Sequence, residues 1–302
     1  FRMKKLKLEE FKNYKAKEQR QYIVPASDFL SKAEILLNNG IHLTGDKMPW
    51  EKTHDKFRFR EGELTIWSGI NGNGKSQVMG QVALWLAKHT SVLIASMEMK
   101  AEITVARMVR QAAGCAKPEK GFYQKFRENT DDNLWIYDQT DTVDSEDILA
   151  MIDWSAERLN IKHIMIDSLM MCGVNQDDNE SQKNFVAHLT TKAKQHNIHI
   201  HLVTHARKAP VGQKNYFPDK FDVAGSAAIT NLAFNILICH LNVEKKRAVD
   251  NNEPTSYTDP DGFLRIAKQR NGEFTGNFGF WYHADSLQWI EEYSDLPMNW
   301  LN

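Results

Sequence analysis

Cysteine is scarce in this 302-residue chain: only Cys115, Cys172 and Cys239 occur, and none forms a C-x-x-C pair. A disulfide framework and a zinc ribbon are thereby excluded, and the three thiols are expected to be ordinary buried side chains. An excess of either charge is also missing, with 38 Lys plus Arg against 39 Asp plus Glu. That excludes a globally basic surface of the kind that binds nucleic acid indiscriminately, so any nucleic-acid site has to be local. No apolar run approaches the ~20 residues needed to cross a bilayer, and the opening FRMKKLKLEEF lacks the apolar stretch of a secretory signal. No membrane association is expected, and the location implied is cytosolic, nucleoid-associated or an organelle matrix. The chain does not begin with methionine, from which we expect a piece of a longer protein. What is plentiful is core-forming material, 42% hydrophobic and 10% aromatic, enough for one large domain or two small ones.

The most informative segment is GINGNGKS at 69–76, which fits the phosphate-binding pattern G-x-x-x-x-G-K-[ST] directly after an apolar run at 64–67. In such a loop the glycines turn successive backbone N–H groups toward the phosphates, the lysine reaches the β and γ phosphates, and the serine offers its hydroxyl to Mg²⁺. Gly69, Asn71, Gly72, Asn73, Gly74, Lys75, Ser76 and Gln77 are accordingly the expected nucleotide-binding residues. The positive end of the following helix points at the same anion.

Around this segment the chain alternates short apolar strands with longer helical stretches. Strands are expected at 64–68, 92–96, 134–137, 163–167 and 198–204, with helices at 75–89, 101–113, 145–159 and 182–196. Such alternation predicts an α/β fold with a mainly parallel central sheet flanked by helices. After residue 224 the pattern changes to consecutive strands at 235–240, 263–269 and 277–283, with Asn271-Gly272 as a turn, so antiparallel C-terminal strands are expected. Three stretches read as long irregular segments: 171–181, 206–223 and 244–261. At the other end, residues 1–22 carry eight Lys or Arg, Pro25 interrupts, and a second helical stretch runs over 27–38 before Asn39-Gly40. We therefore expect an N-terminal basic helical arm over 1–45 and a nucleotide-binding domain over 46–302. The arm is either a solvated helix packed on the main domain or a segment that docks on another subunit.

Two acids complete the chemistry expected at the phosphate loop. Asp167 ends the strand HIMID and is placed to hold Mg²⁺ together with Ser76, while Glu98 follows the strand at 92–96 and can polarise water for attack on the γ phosphorus. His205 stands at the end of HLVTH, where it can hydrogen-bond the γ phosphate; His199 and His201 on the same strand read as structural. Lys268 and Arg270 are one residue apart and project from one face of a strand. They are either a solvated charge pair or a pair that reaches a phosphate held by a neighbouring subunit.

The order GINGNGKS, SMEM, HIMIDSL, HLVTHARK, DVAGSAAI, AKQRNG resembles the RecA-like motor domain of hexameric replicative DNA helicases, the DnaB family with phage helicase-primases and mitochondrial Twinkle. The resemblance spans about 59–283 and includes the lead-in FREGELT at 59–65. It implies a RecA-like P-loop NTPase core that uses ATP or dTTP with Mg²⁺. It further implies a homo-hexamer on single-stranded DNA that translocates and unwinds duplex, in a bacterial or phage-infected cell or an organelle matrix. Glu98 would be the catalytic base, Asp167 the metal-associated acid and Arg270 the finger reaching the next subunit, with Lys268 beside it. The histidine at 205 is closer to Twinkle and some phage enzymes than to DnaB proteins, which usually have glutamine there. Tyr282 would stack on the base, although the spacing after Gly276 departs from the family. The DNA contacts implied are Arg207, Lys208, Lys214 and Lys220, with Gly225 and Ser226 opening the next segment; the cations alone read either as DNA-tracking or as merely solvated. The basic arm would be the linker helix that docks on the adjacent motor. Nothing typical of an attached primase is found, which leaves a primase domain or partner open. A RecA-like recombinase and a slowly hydrolysing loader or scaffold share enough of the core to remain as alternatives.

Overall fold

A computed structural model of the chain describes residues 24–175, 178–207, 216–225, 227–256 and 258–301. The chain divides into two compact units, Phe1–Ile41 and His42–Asn302. In the first, a 3-10 turn at Ala26–Phe29 leads into helix α1 (Leu30–Asn39), which stops at Gly40 with φ 77°. Most of the expected basic arm, residues 1–23, lies outside the described residues.

The second unit is built on one nine-stranded sheet in the order β3-β2-β4-β5-β1-β6-β7-β8-β9. Six strands run parallel: β1 (Leu64–Ser68), β2 (Val92–Ser96), β3 (Leu134–Ile136), β4 (His163–Asp167), β5 (His199–Val203) and β6 (Asn235–Leu241). The last three, β7 (Gly262–Gln269), β8 (Gly276–His283) and β9 (Gln288–Ile290), are antiparallel to their neighbours. The expected α/β class, parallel centre and antiparallel end are therefore present. Alternation along β1 sends its side chains to two different cores: Trp67 joins Phe57, Phe59 and Val82 on one face, while Leu64 and Ile66 join Ile164, Val186 and Leu202 on the other.

Helices α2 (Lys75–Ala87) and α3 (Ala101–Ala113) cover the first face, and α5 (Ser145–Arg158) and α6 (Asn179–His196) the second. Helix α6 starts three residues earlier than its apolar pattern indicates because Asp178 caps it, its carboxylate accepting from the N–H groups of Glu180 and Ser181. It ends at Asn197, in the left-handed conformation.

Three elements depart from the expected pattern. Helix α4 (Lys120–Thr130) buries only Phe126, so little apolar periodicity marks it. The stretch expected to be irregular over 244–261 contains helix α8 (Val243–Asp250), which buries no residue at all. Strand β9 is three residues long, too short for alternation to stand out. The short helix α7 (Ala227–Leu232) lies before β6 and packs Ile229 into the second core.

Three histidines share the interior. Trp67 Nε1 donates to His201 Nδ1 at 3.1 Å, so the ring proton of His201 sits on Nε2 and is given to His163 Nδ1 at 3.1 Å. His163 in turn donates from Nε2 to Asp46 Oδ2 at 3.0 Å. His199 donates from Nδ1 to the Arg60 carbonyl at 2.7 Å, and its Nε2 faces the Thr65 hydroxyl at 2.8 Å. Burial holds His199 neutral, its pKa down at about 3, and pushes His201 well below the usual value as well. Unfolded, His199 and His201 titrate near 6.5, so between that value and the lower folded pKa of each the unfolded chain binds more protons. Stability is thus complete above pH 6.5 and falls as the pH drops, by up to ~1.4 kcal/mol per pH unit for each buried ring. A urea midpoint markedly lower at pH 5.5 than at pH 7.5 is expected; equal midpoints would refute neutral burial.

Candidate nucleotide site

The loop after β1 is shaped by its glycines. Gly69 has φ 151°, and a Cβ there would run into the Cys239 carbonyl; Gly74, at φ 76°, forms the left-handed step into α2. Lys75, 7% exposed, donates from Nζ to the carbonyls of Gly69 (2.8 Å) and Ile70 (3.3 Å), and Asn73 Nδ2 donates to the Cys239 carbonyl at 3.3 Å. Behind the loop, Trp289 is clamped by both ends of the Gln81 amide and accepts from Trp50 Nε1.

Because β2, β4, β5 and β1 are consecutive in the sheet and parallel, their C-terminal ends deliver four segments to one edge. Ser76 donates to Asp167 Oδ2 at 2.6 Å. Glu98 lies two residues beyond β2, and its Oε1 accepts from Ser168 Oγ at 2.6 Å and stands 3.9 Å from His205 Nε2. Lys75, Ser76, Glu98, Asp167 and His205 are thus brought together as the motif order implies.

The electrostatics of this cluster favour a ligand with charges of both kinds. Desolvation raises the Asp167 carboxyl to about 6, against the Ser76 hydrogen bond that lowers it, with Glu98 adding to the rise and Lys75 opposing it. Burial lowers the Lys75 ammonium. His205 is also lowered, first by burial and then by repulsion from Lys75. Its Nδ1 and the Thr204 hydroxyl are buried with no hydrogen-bond partner among the described residues. A desolvated carboxylate beside a hydroxyl fits Mg²⁺, and a buried ammonium at the head of a glycine loop fits phosphate. No group of three or more His, Cys, Asp or Glu that could cage a metal occurs among the described residues.

Sequence reasoning missed Ser168. Its hydroxyl is fully buried and fixes the orientation of the Glu98 carboxylate. The only signal available was its place directly after Asp167. Ser168→Ala is expected to lower kcat for nucleotide hydrolysis about tenfold, the scale of a hydrogen bond to a charged group, with KM unchanged. A rise in KM at constant kcat would show that Ser168 serves ground-state binding instead.

Tyr282 lines a cavity of about 420 Å³ together with Gly72, Gly74 and Gln77, immediately beside the phosphate loop. Lys268 and Arg270 stand elsewhere. β7 runs antiparallel to β6, which sets Gln269 opposite Asn235, and Asn235 is paired with Thr65 near the start of β1. Both cations therefore lie at the edge of the sheet opposite the phosphate loop. Lys268 Nζ donates to the carbonyls of Thr230, Asn231 and Ala233, and Arg270 Nη2 to that of Asn231 at 2.9 Å, with its guanidinium 4.8 Å from the Phe234 ring. Of the expected DNA contacts, Arg207, Lys220 and Gly225 lie around the bridge between Ala206 and Val223, and Arg207 Nη2 donates to the Gly225 carbonyl at 3.4 Å. Phe221, next to Lys220, is 77% exposed. Lys208, Lys214 and Ser226 lie outside the described residues. No helix among the described residues is long and apolar enough to cross a membrane.

The sequence matches the AAA domain family over residues 55–211, more than half of the chain, and the chain belongs to that family. Over 225 residues, 67% of this chain, it is 23% identical to the Twinkle homolog protein, chloroplastic/mitochondrial, of Arabidopsis thaliana, and it spans 31% of that relative's length. The fold superposes on the structure of a DnaB-like replicative helicase, described with its interactions with primase, at a TM-score of 0.71 and 13% identity, covering 89% of this chain and 67% of that one. It superposes equally on the ATPase domain of G40P, at a TM-score of 0.71 and 14% identity, covering 88% and 97% of the two chains. The fold is therefore RecA-like, as the order of motifs implies.

Proposed function

We propose that this chain is the motor of a replicative-type DNA helicase that hydrolyses ATP or dTTP with Mg²⁺, assembles as a homo-hexamer on single-stranded DNA and translocates to unwind duplex. The observation that supports this reading is the arrangement across the sheet: Lys75, Ser76, Glu98, Asp167 and His205 gathered at one edge, and Lys268 and Arg270 at the other, away from their own chain's phosphate loop. In this reading Lys75 and the loop N–H groups hold the triphosphate, Glu98, oriented by Ser168, takes the proton of the attacking water, and His205 senses the γ phosphate. Mg²⁺ held by Ser76 and Asp167 would neutralise charge on the β and γ oxygens. Arg270, with Lys268, would complete the site of the adjacent subunit.

Single-stranded DNA would be tracked by Arg207, Lys208, Lys214 and Lys220 with the backbone at Gly225 and Ser226, a small local charge multiplied around a ring, and Phe221, next to Lys220 in the chain, offers a stacking surface. A primase, as a further domain or partner, and a cytoplasmic or organelle-matrix setting belong to the same reading. The test is nucleotide hydrolysis with and without single-stranded DNA on protein sized by light scattering in Mg²⁺ and triphosphate. Strong stimulation in a ring-sized species is expected. Turnover indifferent to DNA would point to the loader or scaffold, and strand exchange by a filament to the recombinase.

A further inference from the structure

The β6–β7 connection carries α8, an element with no buried residue, yet the helix is firmly attached. Asn242 caps it, accepting from the Lys245 N–H at 3.1 Å while its own amide donates to the Pro260 carbonyl at 3.0 Å. Lys245 is spent on an ion pair with Asp261 Oδ1 at 2.7 Å, its side chain only 9% exposed. The other oxygen of Asp261 accepts from the Tyr282 N–H at 2.8 Å. One carboxylate thus ties α8 to the strand position that carries the tyrosine ring.

The consequence is a shared cavity. Lys246 and Val249 of α8 line the same space of about 420 Å³ as Gly72, Gly74, Gln77 and Tyr282. That volume lies within the range of about 300–1,000 Å³ usual for small-molecule sites. Lys246 also lines a second cavity at the loop, with Gly72 and Asn73. Unlike Lys245, it has no ion pair among the described residues and is exposed. A nucleoside attached to a triphosphate in the loop would have the first cavity beside it, with Val249, Tyr282 and Trp289 among its apolar lining.

We propose that α8 forms a wall of the nucleoside pocket, with Val249 contacting the base alongside Tyr282 and Lys246 facing the junction of sugar and phosphate. This rests on the nucleotide-binding reading above and adds to it the residues that set affinity for the nucleoside part. The chemical class recognised is a nucleoside triphosphate, as distinct from phosphate alone.

The experiment is a binding titration of the full 302-residue chain with a fluorescent ATP analogue, in competition with unlabelled ATP and with inorganic tripolyphosphate. Val249→Asp is expected to raise the Kd for ATP about tenfold and to leave that for tripolyphosphate unchanged, since only the base meets the new carboxylate. Lys246→Glu is expected to weaken ATP by a similar factor, about tenfold. Val249→Ser, milder in charge, guards against an effect on folding and is expected to show the same selectivity for ATP over tripolyphosphate. Kd values for ATP within about twofold of the unaltered chain in both Val249→Asp and Lys246→Glu would overturn the role of α8 while leaving the phosphate loop intact. Failure of the unaltered chain to bind either ligand would instead overturn the nucleotide reading, and this inference with it.

Discussion

Lys75→Ala is expected to abolish nucleotide turnover, with kcat falling by at least ~10²–10³-fold, the scale of removing one preorganised donor from a developing oxyanion. The lysine is 7% exposed, and its ammonium is held by two carbonyls of its own loop, 2.8 Å from Gly69 and 3.3 Å from Ile70. Burial lowers its pKa, whereas Asp167 and Glu98 nearby raise it, so the site keeps a partly desolvated positive charge beside two carboxylates. Such a charge interacts with phosphate more strongly than one in water, and alanine cannot replace it. Affinity for the triphosphate should fall as well, because the group that faces the β and γ phosphates is gone. Phosphate release and a fluorescent-nucleotide titration read the two effects separately. Turnover within about tenfold of the unaltered chain would show that hydrolysis happens somewhere other than this loop.

How much of this was legible in the sequence follows from where each element buries its side chains. Strands β1, β2 and β4 are buried on both faces and flanked by long helices, so their limits at 64–68, 92–96 and 163–167 could be read directly. Helix α8 could not, because nothing on it is buried and no period of 3.6 is imposed on its sequence. Among the site residues, those at the ends of apolar strands were recognisable from position: Asp167 closes β4 and His205 lies two residues past β5. Ser168 and Asp261 were not, since their roles depend on hydrogen bonds to Glu98 and to the Tyr282 backbone, across about 70 and 21 residues of chain. His199 and His201 read as structural from their place on β5, but the line of donors from Trp67 to Asp46 crosses three strands and a loop and leaves no such mark.

Arg270→Ala is expected to leave nucleotide binding nearly unchanged while lowering DNA-stimulated hydrolysis by ~10³–10⁵-fold, the range of an arginine finger. The separation of the two effects follows from topology. β1 is five residues long, about 16 Å of extended chain, and the phosphate loop leaves it after Ser68, whereas Arg270 sits beyond the pairing of Gln269 with Asn235 at the other end. An arginine side chain cannot span that distance to its own loop, so a contribution to hydrolysis has to come through the neighbouring subunit. The residue is exposed but not loose: the Asn231 carbonyl and the Phe234 ring fix the guanidinium, and Lys268 is fixed on the same helix end, its ammonium pKa lowered by burial and then by Arg270. The three donors of Lys268 are already on carbonyls, whereas the Arg270 guanidinium is fixed through one donor and has others to offer an anion arriving from outside the chain. Mixing Arg270→Ala with Lys75→Ala provides the decisive measurement. Each variant alone should be inactive, but in the proposed ring a mixed assembly would set an intact loop on one subunit against an intact arginine on its neighbour, so partial hydrolysis should return. Normal hydrolysis by Arg270→Ala alone, or no recovery in mixed assemblies of unchanged size, would exclude the arginine from the adjacent site.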